Sequence, residues 1–121
     1  MNIVDIMIEL RNTRKSELLE HIDPDNLTVI VTEILSWLRL ERKREIWLEQ
    51  GRPTALNSLA LNMNYPWCAD LIKILQNDNV FAEVFQVDGK HLSFKDSVTD
   101  DYRHEARLLA YEKYDPKMIT G

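Results

Sequence analysis

Val80-Phe81-Ala82-Glu83-Val84-Phe85-Gln86-Val87-Asp88-Gly89-Lys90-His91-Leu92-Ser93-Phe94 is the stretch on which the fold turns. Its first eight residues are rich in β-branched and aromatic side chains and read as a strand. Asp88-Gly89 is the strongest short hairpin signal in the chain, because Gly takes the positive φ that a tight primed turn requires. His91-Leu92-Ser93-Phe94 is then the returning strand. A two-stranded ribbon is expected here.

Upstream of the ribbon the pattern is helical. Residues 65–76 set Cys68, Leu71, Ile72 and Leu75 on one side, with Pro66 in the first turn, where its missing N–H is not needed. Asn77-Asp78-Asn79 ends that helix, and Asn62-Met63-Asn64 is the turn before it. Leu56 to Leu61 read as a short helix capped by Thr54 or Asn57, preceded by an extended stub, Arg52 to Ala55. Over residues 25–50 the three-four spacing of Leu27, Ile30, Val31, Ile34, Leu35, Leu38, Ile46 and Trp47 predicts one long helix. Asp25 is its expected cap and Gly51 its expected stop, with Pro53 just beyond. Its length leaves room for a kink or for a share in a dimer interface. Trp37 and Trp47 read as core or dimer-seam residues.

Residues 2–11 carry an amphipathic stripe of Ile3, Ile6, Met7 and Leu10, which Asn12-Thr13 breaks or caps. A short helical piece follows through Leu18, Leu19 and Ile22, and Asp23-Pro24-Asp25 is strong punctuation. Thr99 to Tyr114 are helical, with Tyr102, Ala106, Leu109, Ala110 and Lys113 on one face and Pro116 as the stop. The predicted class is mainly α with a small β part. An N-terminal helical segment covers 1–24, a central domain 25–96, and a C-terminal helix and tail 97–121. The apolar faces of 3–10 and 102–110 must be buried somewhere and are the expected material of a homodimer.

The central order is long helix, stub, short helix, tight turn, second helix, strand, Asp-Gly hairpin, strand. With Pro53 to Pro66 as stub, helix and turn, and Leu71-Ile72-Lys73-Ile74-Leu75 leading into Val80-Phe81, it resembles the winged helix-turn-helix superfamily, as in MarR-like small bacterial or phage regulators. No family within the superfamily is assigned. The resemblance covers residues 25–95 and implies a DNA-binding regulator of transcription whose second motif helix enters the major groove. On this sequence the outward positions would be Asn64, Tyr65, Trp67, Ala69, Asp70 and Lys73, with Lys90 and His91 at the tip of the wing. Asn64, Tyr65 and Lys73 would read bases, and Arg42, Arg44, Arg52 and Lys90 would hold phosphates.

Several residues point away from DNA. The formal net charge is -5, whereas phosphate binding draws on basic surface. Asp70 places a carboxylate on the reading helix, and Lys73 is that helix's one cation. Arg39, Arg42, Lys43, Arg44 and Arg52 do cluster, but Glu41, Glu45 and Glu49 are interleaved at pairing distance, so a solvated helix face competes with a phosphate patch. Tyr65-Pro66-Trp67 offers aromatics to a protein partner, since Trp and Tyr dominate interface hot spots; Trp67 folding onto the domain's own core is the alternative. The second functional reading is therefore a protein-interaction module, an adaptor or inhibitor docking on a polymerase, a replication protein or another regulator.

Catalysis is not expected. His21, His91 and His104 are scattered, and Cys68 stands without a second Cys, so no zinc spacing exists. Cys68 has no evident base beside it and reads as a small buried residue. Asp100, Asp101 and Glu105 read as partners of a helix dipole rather than as metal ligands. The three glycines form no phosphate loop or dinucleotide fingerprint. No cofactor, metal, small-molecule substrate or membrane partner is expected. Apolar residues make up 45% and charged residues 29%, too apolar a mix for a disordered chain. A single Cys favours a reducing compartment, and no run approaches a membrane span or a signal peptide, so the cytoplasm is the expected location.

Overall fold

The computed structural model describes residues 2–13, 23–52, 61–62, 79–89 and 91–114. Along them the chain forms helices α1 (Ile3–Thr13) and α2 (Pro24–Glu49), strand β1 (Leu61–Asn62), helix α3 (Asn79–Val84), strands β2 (Phe85–Asp88) and β3 (His91–Phe94), and helix α4 (Asp100–Lys113). The protein is mainly helical with a small antiparallel sheet. No helix among the described residues is long and apolar enough to cross a membrane.

α2 is the axis of the fold. Its start is fixed by Asp23, whose carboxylate accepts from the backbone N–H groups of Asp25 and Asn26 at 2.8 and 3.3 Å. The cap is thus Asp23, not Asp25, because Pro24 fits the first helical position and pushes the residue before it out of the helical region. The end is a Schellman turn: Gly51 N–H donates to the Leu48 carbonyl and Arg52 N–H to the Trp47 carbonyl, both at 2.9 Å. Gly51 sits at φ 71°, and a Cβ built there would meet nothing within 4 Å. Gly51→Ala is therefore expected to cost only the backbone strain of a left-handed residue, about 1 kcal/mol, read from the midpoint of urea unfolding. An unchanged midpoint would mean that the helix end is not held in this turn.

The helix buries Leu27, Ile30, Val31, Ile34, Leu35 and Leu38. α1 packs along one flank with Ile3, Val4, Met7 and Leu10 buried. α4 runs antiparallel to α2 and approaches it through the small residues Ala106 and Ala110, both fully buried. The direction follows from its side-chain pairs: Tyr114 Oη lies 3.2 Å from Ser36 Oγ near the middle of α2, whereas His104 Nδ1 lies 2.7 Å from Glu45 Oε2 near its end. Between them the Arg39 guanidinium sits 4.8 Å above the Tyr111 ring. Tyr102 ties the two outer helices together, its hydroxyl accepting from the Ile3 N–H at 3.0 Å. That bond satisfies a donor which the first helical turn leaves open. Thr99 caps α4 itself. The apolar faces of α1 and α4 are thus consumed within one core, not held out for a dimer as the sequence pattern suggested.

β3 is the centre of a three-stranded antiparallel sheet of order β1-β3-β2. The ribbon pairs Phe85 with Phe94 and Asp88 with His91. This register places the turn after Asp88, so that Gly89 opens it, one position later than the Asp88-Gly89 signal implied; Gly89 takes φ 60° there. Two segments depart further from the sequence expectation. Residues 80–84, expected as the first part of a strand, belong to helix α3. Phe81, Val84 and Phe85 are buried while Val80 and Glu83 are exposed, a three-four pattern that outweighs local β propensity. Leu61 and Asn62, expected as a helix end and a turn, instead pair with Leu92 and His91 and cover the free edge of β3. The helices expected over Leu56–Leu61 and 65–76, and the piece near Leu18, lie largely or wholly outside the described residues.

Trp37 and Trp47 part company. Trp37 packs on the sheet, its ring 5.7 Å from that of Phe94 and 6.5 Å from that of Phe85. Trp47 is 48% exposed and belongs to no core. Ten residues of helix turn through about 280° beyond two full revolutions, so the two side chains leave α2 in different directions.

Candidate docking surface

Of the residues nominated from the sequence, Asn64, Tyr65, Trp67, Asp70, Lys73 and Lys90 lie outside the described residues. His91 is exposed at the start of β3, between Asn62 of β1 and Asp88 of β2 in the ladder. The remaining three, Arg42, Arg44 and Arg52, occupy the far end of α2, where they do not form an open basic patch. Arg42 Nη1 contacts Glu49 at 3.2 Å and Glu45 at 3.9 Å. Arg44 Nη1 donates to Glu41 at 2.8 Å, and Glu41 is only 5% exposed. Arg52 is exposed and places its guanidinium 5.7 Å from the centre of the Trp47 ring.

α4 extends this cluster. Glu45 receives His104 Nδ1 at 2.7 Å and Arg107 Nη1 at 4.0 Å. A carboxylate only accepts, so the His104 contact requires a proton on Nδ1. Arg103 and Arg107, one helical turn apart, both approach the Phe94 ring, at 5.9 and 6.0 Å. Arg103 Nη2 also donates to the Lys95 carbonyl at 2.9 Å, which pins α4 to the strand end. Between ribbon and helix these side chains leave a cleft of about 300 Å³, lined by Trp37, Glu41, Gln86, Phe94, Arg103 and Arg107 among others.

The cleft combines a flat aromatic floor with guanidinium and carboxylate walls. Such a lining suits a polar peptide segment, which needs donors, acceptors and a surface to stack on. Two of the cleft's lining residues, Glu41 and Asp96, are carboxylates that would repel a polyanion. Among the described residues no group of three His, Cys, Asp or Glu side chains could hold a metal ion. Arg103 and Arg107 were not singled out by the sequence. Their spacing of four on a predicted helix was a usable signal, but their common neighbour Phe94 became visible only with the fold.

No family model, no curated protein and no solved structure matches the chain.

Proposed function

We propose that this chain is a non-enzymatic winged-helix module of the reducing cytoplasm that acts by docking on a protein partner. The observation that carries the choice of partner is the state of two arginines: Arg42 and Arg44, both expected to hold phosphates, are bonded to carboxylates of their own helix. Moving them to DNA would first break those contacts, and the displaced carboxylates would then repel the phosphates. The exposed acids around the ribbon, Glu83, Asp88 and Asp96, add to that repulsion. The winged-helix part of the proposal draws support from the strand order β1-β3-β2, from α3 leading straight into β2, and from the Gly89 turn.

That same order favours a second reading, a DNA-binding regulator of transcription, since winged helices often serve that end; the warrant is one of analogy. Fluorescence anisotropy with random duplex DNA at a series of salt concentrations separates the two. The protein-docking reading expects weak binding with a shallow slope. A slope of about −4 or steeper in log K against log salt, as neutralising four or more phosphates gives, would overturn it in favour of DNA.

A further inference from the structure

α2 is about 39 Å long at the standard rise, and only one side of it faces the core. The opposite side repeats with three-four spacing: Asn26, Val29, Glu33, Ser36, Leu40, Lys43, Trp47 and Gln50. Val29, Leu40 and Trp47 are 36%, 48% and 48% exposed, so three large apolar side chains stand on one stripe in solvent. The helix end nearest Val29 carries Asp25 and Glu33, and the end nearest Trp47 carries Lys43 and Arg52.

We propose that this stripe seats a second copy of the chain, packed antiparallel along α2 about a two-fold axis between Ser36 and Leu40. One register satisfies every position at once. It sets Val29 against the partner's Trp47, Ser36 against the partner's Leu40, and Glu33 against the partner's Lys43. Each large side chain then meets a smaller one, and each acid meets a base. A parallel pairing in register does the reverse: Trp47 meets Trp47, Lys43 meets Lys43 and Glu33 meets Glu33. Glu33 has a contact within its own chain, and its negative charge remains at that end of the stripe. The pairing is isologous and closes on itself, so it yields a dimer and not a filament. Its seam is the antiparallel form of the heptad interface, in which a and d positions of opposite helices interdigitate.

Sedimentation equilibrium of the whole chain over a wide concentration range tests this. A monomer–dimer equilibrium is expected. Lys43→Glu should weaken it about tenfold, because the two-fold repeats the lost pair and replaces it with like charges. Adding Glu33→Lys to that variant should restore the parent affinity, an outcome that general damage to the helix would not produce. Leu40→Glu should leave monomer only, with unchanged far-UV circular dichroism. In a Cys68→Ser background, chains carrying Ser36→Cys should form disulfides with chains carrying Leu40→Cys. Monomer alone at every concentration would overturn the proposal, and so would a dimer that Leu40→Glu leaves intact. Neither result touches the reading of the ribbon and cleft, which rests on other residues.

Discussion

Phe94→Ala is expected to lower the free energy of unfolding by about 3–5 kcal/mol, the cost of deleting a buried aromatic ring. The ring is 8% exposed and stands where α2, the ribbon and α4 converge. Phe85 opposes it across the ribbon at 5.4 Å and Trp37 of α2 packs on it at 5.7 Å. Arg103 and Arg107 of α4 lean on it from the cleft side. Removal leaves a cavity that the stiff ribbon cannot close, and it also takes away the platform that orders the two guanidiniums. Phe94→Leu, which keeps most of the volume, should cost well under half as much. Urea unfolding of the three proteins gives the ranking. A loss below about 1 kcal/mol for Phe94→Ala would show that the ribbon does not pack on α2 through this ring.

Leu38→Ala is the second large effect, about 3 kcal/mol and on the order of ten degrees in Tm. Leu38 is fully buried on the core side of α2, the helix against which both α1 and α4 are packed. The same truncation at Leu40, two residues on, removes a side chain that is 48% exposed. In dilute, monomeric protein it should change stability little. Thermal unfolding of Leu38→Ala and Leu40→Ala side by side thus reads the orientation of α2 directly. Equal losses would mean that α2 is rotated about its axis, with Leu38 no longer facing the core. Native domains are stable by only about 5–15 kcal/mol, so Leu38→Ala should also be partly unfolded at physiological temperature if the parent lies at the low end of that range.

The long helices could be read from the sequence because their apolar residues recur over several turns with clear stops. Gly51 ended α2 as expected, and Thr99 opened α4. Short segments were harder for a physical reason. In Val80-Phe81-Ala82-Glu83-Val84 a period of two and a period of three to four fit equally well, and only the burial of Phe81 and Val84 against the core decides between them. Leu61 and Asn62 form a strand because β3 offers them an open edge, which nothing local announces. The charges were more legible. Interleaved glutamates made pairing of Arg42 and Arg44 one of two competing readings, and both arginines do contact carboxylates of α2. The cleft was not foretold, since it joins α2, the ribbon and α4 across more than sixty positions of sequence.

The hydroxyl of Tyr102 meets the backbone of Ile3 across 99 positions, and Lys113 reaches Asp5 at 2.7 Å. This orders events at the ribosome. α1 emerges before α4, and the groups on α4 that anchor it are synthesised about a hundred residues later. Until they appear, Ile3, Val4 and Met7 have only part of their eventual cover, and the growing chain carries a partly exposed apolar strip while the roughly hundred residues up to Tyr102 and Lys113 are made. Closing so long a loop is slow compared with winding a helix. The nascent protein therefore has a built-in interval in which chaperones, or other unfinished chains, compete for that strip.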